Sequence, residues 1–243
     1  MGSARRHHPR ARLKPAPQGG PEAGGKGVDE PGLTVRYRLP PTVNGVALTF
    51  DDCDQGGPWS QILDVLAAEN VAATFFANGM RVVQLPEPAR RTVGEGHALG
   101  AHGWDHSDLT RLPSEEVERR LRADRRAWCD AGASDVVLFR PPYGRFSSGT
   151  LRAARRAGYR EMVLWDVDPL DWQLPEPEDI VTRVVHGSSP GSIIDLHVTG
   201  PTAAALPGVI HGLRQHGLAC VPLQGSWATP EIRDGPEMAA PPQ

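Results

Sequence analysis

The sequence predicts an α/β protein whose strands and helices form a distorted (β/α) barrel with fewer than eight regular strands. Two observations support this fold class. Apolar runs rich in β-branched and aromatic residues alternate with segments of helical periodicity, which is typical of βαβ units with a parallel sheet. Acidic, histidine and arginine side chains recur where these apolar runs end, as they do at the active-site edge of such barrels. A doubly wound open sheet is the alternative.

The chain divides into three parts. Residues 1–35 are rich in Pro, Gly, Arg and Ala without periodicity, so we expect a disordered N-terminal tail, and residues 227–243 are expected to form a flexible C-terminal tail. The patterned region between them, 36–226, is predicted to be one catalytic domain. Its predicted strands, two of which run on into loops, lie in residues 45–50, 71–78, 97–103, 136–144, 161–172, 192–197 and 218–223. Its predicted helices cover 58–70, 87–96, 114–132, 147–159, 177–187 and 204–217.

Composition and charge exclude several classes of protein. The net charge of -3 gives no electrostatic argument for nucleic acid or an anionic membrane surface. Three cysteines without CxxC spacing make neither a disulfide framework nor a cysteine zinc site. No window approaches the roughly 18 apolar residues of a membrane span, and no apolar segment follows the basic N-terminus. We expect a monomer without nucleic-acid partner or integral membrane association, located in the cytoplasm unless an export signal has been removed.

The most informative stretch is VALTFDDCDQGG, in which two adjacent carboxylates end an apolar strand. Burying Asp51 and Asp52 there is costly unless each has a partner. The stretch HGWDH supplies two imidazoles, His102 and His106, with the four-residue separation that lets both reach one ion. Two histidines and one carboxylate leave a coordination position open for water, as catalytic zinc requires. One of the two acids therefore suits the metal, and the other suits proton transfer.

Two further strand ends carry groups suited to the same chemistry. A fixed guanidinium orients a carboxylate and keeps it ionised, so Arg140 is a candidate to hold the acid that acts as a base. His197 ends another apolar strand and is a candidate proton donor to a leaving group. A nearby acid such as Asp168 would raise the pKa of His197 so that it is charged when needed.

These residues, in this order, resemble the polysaccharide deacetylase family, also known as the NodB-homology or carbohydrate esterase family 4 enzymes. The five motifs of that family align with TFDDC, HGWDH, RPPYG, DPLDW and DLH. The resemblance covers about residues 43–223, almost all of the patterned chain. It implies a distorted (β/α) barrel of the NodB-homology type, which agrees with the strand count reached from the pattern.

The resemblance also implies roles for the aligned residues. Asp51 would be the catalytic base, and Arg140 would orient it. The ligands of a divalent metal, most often Zn²⁺ with Co²⁺ as a possibility, would be Asp52, His102 and His106.

Further roles follow from the remaining three motifs. Tyr143 would lend its backbone N–H to the developing oxyanion, which is worth roughly 3 kcal/mol in a preorganised site. Asp168 would tune His197, the general acid. Asp171 and Trp172 would shape the substrate pocket.

The chain departs from the family pattern at two positions. Cys53 stands where the family usually has glycine; a packing residue beside the site is favoured, with an additional ligand or a redox-sensitive group as alternatives. Asp195 stands where the family usually has a leucine that faces the acetyl methyl group, and strand alternation places it on the same face as His197. Asp195 is either displaced by a bulge and paired with an arginine or a backbone N–H, or it marks a different acyl pocket. We place Asp195, Leu196 and Cys53 in the expected pocket.

The main functional hypothesis is a metal-dependent amide hydrolase that removes acetyl groups from N-acetylated amino sugars, in peptidoglycan, chitin-like oligomers or a glycosylated metabolite. Hydrolysis of a non-sugar C–N bond, or of a different acyl group, on the same metal site is the alternative. A catalytically inactive sugar-binding protein is the third hypothesis.

Overall fold

Seven strands form one parallel sheet in a computed structural model that describes residues 30–173 and 175–223. The strands are β1 Thr34–Arg36, β2 Ala47–Asp52, β3 Thr74–Ala77, β4 Ala98–Ala101, β5 Leu138–Phe139, β6 Glu161–Val163 and β7 Ile193–His197. Their order in the sheet is β1-β6-β5-β4-β3-β2-β7. Within the described residues no ladder joins β1 to β7, so the curved sheet is a half-barrel. This confirms a distorted barrel with fewer than eight regular strands.

From β2 onward, helices connect successive strands, as is usual for parallel strands. They are α1 Gly56–Ala68, α2 Gly79–Gln84, α3 Pro86–Gly94, α4 Ser114–Asp130, α5 Ser148–Arg156, α6 Pro177–Gly187 and α7 Gly200–Gln215. Ser147 caps α5 by accepting a hydrogen bond from the Thr150 N–H, and the Thr150 hydroxyl accepts one from the Ser147 N–H in return. None of the helices in the described part of the chain is long and apolar enough to cross a membrane.

The sequence predicted seven strands, but one of them was the wrong segment. Residues 218–223 form only an isolated bridge, between Cys220 and Val46, because Pro222 has no N–H with which to extend a ladder. The seventh strand is β1, which pairs with β6. Thr34 and Val35, which the sequence assigned to the N-terminal tail, therefore belong to the sheet. Of the two predicted tails, residues 1–29 and 227–243 lie outside the described residues.

The register of the sheet brings the predicted site residues to one edge. Asp51 of β2 lies beside His197 of β7, and two residues earlier Thr49 lies beside Asp195. Since every strand is parallel, all of the carboxyl ends meet at this edge. The main apolar core includes the buried side chains of Phe50 and Phe75 and packs between the sheet and the helices.

Gly100 of β4 makes room for Phe76 of β3, whose ring lies 4.3 Å from the Arg140 guanidinium. A Cβ at position 100 would overlap the Phe76 ring. We expect Gly100→Ala to lower the free energy of unfolding by about 1–3 kcal/mol, the usual cost of overpacking a core, as measured by urea denaturation. Gly94→Ala is the control, because a Cβ there meets nothing within 4 Å. Equal stability of the two variants would contradict this close packing.

Candidate active site and metal centre

The end of β2 turns sharply at the two adjacent carboxylates. Asp52 and Cys53 both have positive φ, at 68° and 55°, and the Cys53 N–H donates to the Asp51 carbonyl at 2.8 Å. Non-glycine residues adopt this conformation rarely, and such strain is concentrated at functional sites. The turn brings both carboxylates to the same edge of the sheet: Asp51 is buried and Asp52 is partly exposed.

Asp52, His102 and His106 form a cluster whose ligand atoms all lie within 4.8 Å of one another. The Asp52 Oδ1 atom is 3.5 Å from His102 Nε2 and 3.2 Å from His106 Nε2. Ligand atoms held about 2.0–2.2 Å from a tetrahedral zinc ion have separations of about this size. The cluster therefore fits a divalent cation with one carboxylate and two imidazole ligands.

The chemistry of His102 also fits a metal ligand. Burial lowers the pKa of His102, the charges of His106 and Arg140 lower it further, and the charge of Asp52 opposes this effect. The resulting pKa is about 3, so the imidazole is neutral. Its Nδ1 lies 2.9 Å from the Arg140 carbonyl, which can accept only from a protonated nitrogen. The Nε2 lone pair is then free on the side of Asp52, and a backbone carbonyl fixes the tautomer, as is usual for ligating histidines.

Asn78, at the end of β3, supports the carboxylate arm of the cluster. Its Nδ2 donates to the Asp52 carbonyl at 3.1 Å and lies 3.5 Å from Asp52 Oδ1. Sequence reasoning missed Asn78; its place at a strand end in this fold was the available signal. Beside the cluster lies a cavity of about 140 Å³, lined by Asp52, Asp54, Asn78, Met80, Arg81, Asp105 and His106. A larger cavity of about 280 Å³ lies around His97, Asp135 and Leu223, at the opposite edge of the sheet.

Arg140 is fully buried and holds Asp51, as the sequence predicted. Its Nη1 donates to Asp51 Oδ1 at 2.7 Å, while the other Asp51 oxygen lies 3.6 Å from His102 Nε2. Asp51 is thus fixed between the Arg140 guanidinium and the cluster of Asp52, His102 and His106. Thr49, which sequence reasoning missed, also accepts from Arg140; it lies two residues before Asp51 and therefore on the same face of β2.

The partner of His197 is Asp171, and the expectation that Asp168 plays this part is wrong. His197 Nδ1 lies 2.9 Å from Asp171 Oδ1, and the His197 backbone N–H donates to Asp171 Oδ2 at 2.7 Å. The Thr202 hydroxyl also donates to Asp171, at 2.6 Å. Asp168 instead accepts the Leu170 N–H at 2.8 Å. The short turn Asp171–Gln173 is what brings the second acid of this loop, rather than the first, to the histidine.

Asp171 and nearby carboxylates keep His197 protonated. Burial acts to lower the pKa of His197, but the hydrogen bond to Asp171 and the charges of Asp195, Asp171 and Asp51 outweigh it. The pKa of His197 rises to about 10. At neutral pH the imidazole therefore carries a proton that it can donate.

The rim of the site carries exposed aromatic side chains. Tyr143 has a φ of 62°, is 58% exposed and packs edge-on against His106 at 4.5 Å. No hydrogen bond of the Tyr143 N–H is found among the described residues. Trp172 is 40% exposed on the loop that also carries Asp171. Both residues are thus accessible to a molecule that approaches the cluster.

Four of the five residues assigned to the substrate pocket are not in an open pocket. They are Asp171, which is fully buried beside His197, and Leu196, Cys53 and Asp195. Leu196 is fully buried in the main apolar core, because strand alternation turns it away from His197. Cys53 is also fully buried in that core and is not one of the grouped ligands, which supports the packing interpretation. Burial raises the pKa of the Cys53 thiol, and the nearby aspartates add to this effect. Asp195 is buried and accepts a hydrogen bond from Arg140 at 2.7 Å, without a bulge in β7.

A parallel half-barrel that carries a carboxylate–dihistidine cluster and an acid-paired histidine at one edge is the arrangement that the resemblance to the NodB-homology class implies. The family model described as polysaccharide deacetylase matches residues 39–162. The chain belongs to the polysaccharide deacetylase family.

Two curated relatives and one solved structure illustrate this membership. A peptidoglycan-N-acetylglucosamine deacetylase of Bacillus cereus is 32% identical over 77% of this chain and 90% of its own length. A chitooligosaccharide deacetylase of Rhizobium leguminosarum bv. trifolii is 36% identical over 72% of this chain and 81% of its own length. A carbohydrate esterase family 4 pseudoenzyme of Bacillus anthracis is 29% identical, with a TM-score of 0.73, over 77% of this chain and 66% of that one. The family therefore contains both enzymes and a pseudoenzyme.

Proposed function

We propose that this chain is a metal-dependent deacetylase that removes acetyl groups from N-acetylated amino sugars, with N-acetylglucosamine units of peptidoglycan or chitin-like oligomers as the first candidates. One observation carries the proposal: three groups of residues lie together at one edge of the sheet. They are the cluster of Asp52, His102 and His106, which we call the metal-type cluster, the Asp51 carboxylate held by Arg140, and His197 paired with Asp171. The names of the relatives in Bacillus cereus and Rhizobium support the substrate class.

Asp52, His102 and His106 would hold the metal, Zn²⁺ or Co²⁺. When bound, such an ion polarises a carbonyl group and lowers the pKa of water. Asp51 accepts the proton of the water that attacks the acetyl carbon, and Arg140 keeps its carboxylate oriented. The Tyr143 N–H would donate to the carbonyl oxygen as negative charge develops there.

The second half of the reaction needs an acid, and His197 supplies it. As the C–N bond breaks, His197 donates its proton to the departing amine nitrogen, so that the products are acetate and the free amino sugar. Asp171 accepts a hydrogen bond from Nδ1 of the imidazolium and so holds the ring in the orientation that this step requires. The exposed ring of Trp172 offers a face against which a sugar can stack.

The test is release of acetate from N-acetylglucosamine oligomers, measured by mass spectrometry on protein of known metal content. Acetate release that depends on the metal supports the proposal. A metal-loaded protein that binds the oligomers and releases no acetate would instead be a binding protein; one solved relative is a pseudoenzyme. Faster release from small non-sugar amides would favour the non-sugar hydrolase.

The pH dependence should expose the role of Asp171. Because the pKa of His197 is raised to about 10, its proton is present at neutral pH and is lost as the pH rises through that value. Asp171→Asn removes the negative charge that raises this pKa and leaves at most a neutral hydrogen bond to the imidazole, so the alkaline limb of the kcat/KM profile should move to lower pH. The raised pKa also makes the stability of the protein depend on pH. The stability that the His197–Asp171 pair contributes is fully present below about pH 6.5 and is lost as the pH rises through 10.

Asp168→Asn is the control for this measurement, because Asp168 has no hydrogen bond to His197. We expect a smaller displacement of its alkaline limb. A larger displacement in Asp168→Asn than in Asp171→Asn would show that the Asp171 contact does not set the protonation of His197.

A further inference from the structure

Arg140 is held mainly through one of its nitrogen atoms. Nη1 lies 2.7 Å from Asp51 Oδ1, 2.7 Å from Asp195 Oδ1 and 2.8 Å from Thr49 Oγ1. The other nitrogens make longer hydrogen bonds, at 3.2 Å from Nε to the Val163 carbonyl and 3.3 Å from Nη2 to the Leu164 carbonyl. The orientation of the guanidinium therefore depends on the three contacts of Nη1. We call Thr49, Asp51, Arg140 and Asp195 the Arg140 cluster.

Asp195 supplies one of the two carboxyl groups that accept a hydrogen bond from Arg140 in the Arg140 cluster. The Thr49 contact is neutral, and the Thr49 hydroxyl uses its own proton to bond the Ile194 carbonyl at 2.6 Å. Nη1 carries two hydrogens for three oxygen acceptors, so the three contacts compete and together confine the nitrogen. Removing Asp195 would leave the buried guanidinium with a single carboxylate, Asp51, which is also the proposed base.

The surroundings of Asp195 suit a fixed structural contact better than a substrate wall. Asp195 is 2% exposed, its strand pairs regularly with β2, and Arg140 is the only hydrogen-bond partner of its side chain among the described residues. Burial raises the pKa of Asp195, and the charge of Asp51 adds to this, while Arg140 and His197 oppose it. A neutral side chain of the same shape that keeps the acceptor oxygen should therefore replace it well.

We propose that Asp195 is a positioning residue that holds Arg140 in place and, through it, the carboxylate of Asp51. Asp195 belongs neither to the metal-type cluster nor to the lining of the cavity beside it. Its carboxyl group helps to raise the pKa of His197, and its side-chain hydrogen bond acts on Asp51 through the Arg140 guanidinium. The inference rests on the proposed deacetylase function and adds a residue to its machinery.

Two variants of nearly the same shape separate this role from simple packing. Asp195→Leu removes the acceptor oxygen and fills the same space, whereas Asp195→Asn keeps the acceptor. We expect kcat for acetate release to fall at least ~10-fold in Asp195→Leu, a part of the ~10²–10⁴-fold that acid–base groups supply. KM should change less than ~2-fold, because Asp195 does not contact substrate, and kcat of Asp195→Asn should stay within ~3-fold of the wild type.

Metal content and thermal unfolding are measured on each variant, and Asp195→Ala takes the place of the leucine variant if the latter does not fold, since it also lacks the acceptor. The proposal is overturned if the acceptor-free variant keeps wild-type kcat, or if Asp195→Asn loses as much as Asp195→Leu. It is also overturned if the leucine variant keeps its rate on acetyl substrates but changes the ratio of acetyl to propionyl turnover, because Asp195 would then set acyl specificity. A wild-type protein that releases no acetate is a different result: it refutes the proposed function itself, and this inference with it.

Discussion

Asp51→Asn is expected to reduce acetate release by roughly 10²–10⁴-fold or more while the protein keeps its metal, because an amide cannot accept the proton of the attacking water. The substitution preserves the shape of the side chain and leaves an oxygen that can accept from Arg140 Nη1, which now lies at 2.7 Å. The metal-type cluster uses Asp52 and not Asp51, so metal content measured by mass spectrometry should be unchanged. Turnover is measured as acetate released from N-acetylglucosamine oligomers.

Asp130→Asn is the matched control for this experiment. Asp130 lies at the end of α4, is exposed and makes no side-chain hydrogen bond to any described residue, so the same chemical change should leave kcat unaltered. If Asp51→Asn turned over as fast as the control, Asp51 would not be the base. If the Asp51→Asn variant lost its metal together with its activity, Asp51 would be a metal ligand. The assignment of Asp51 as base and Asp52 as ligand would then be wrong.

His102→Ala should abolish both metal binding and activity. His102 is buried, its free Nε2 lies 3.5 Å from Asp52 Oδ1, and no other described imidazole is placed to replace it beside His106. Loss of groups that only orient a ligand already costs about 10–100-fold in metal affinity, and loss of a ligand should cost more. The measurements are metal content after dialysis and titration with Zn²⁺ or Co²⁺.

His97→Ala separates loss of a ligand from loss of a buried side chain. His97 is also a buried imidazole, but it accepts the Ala73 N–H at 3.2 Å and lines the cavity at the opposite edge of the sheet. It should lower stability and leave the metal content intact. Retention of a full complement of metal by His102→Ala would refute the cluster as the metal site, as would equal metal loss in the two variants.

The sequence was most informative where strands end. In a parallel sheet the carboxyl ends must share one edge, so Asp51, His102, Arg140 and His197 could be placed together before any coordinates were known. The periodicity also placed Asp195 correctly on the face of His197. It could not show that β7 has no bulge, since register depends on the neighbouring strand. Of the two alternatives for Asp195, the pairing with an arginine is observed, but without the bulge that this alternative included.

The loops were less predictable, because their geometry is set by local turns and not by a repeating pattern. Asp168 and Asp171 lie three residues apart on one loop, and either could have met His197. The choice is made by a positive φ of 57° at Leu170 and the short turn that follows it, which direct Asp171 inward. Similarly, β1 is only three residues long, and its place in the sheet depends on pairing with β6, far away in sequence.

The metal-type cluster joins parts of the chain that are remote in sequence: Asp52 ends β2, whereas His102 and His106 follow β4. In an unfolded chain these three ligands are scattered, so a cation that binds them has high affinity only for the folded state. Its binding free energy then adds to the folding equilibrium, by about 2.7 kcal/mol at a free concentration one hundred times the dissociation constant. The cluster would thus act as a reversible cross-link, and the free energy of unfolding of the protein would depend on the free concentration of the metal ion.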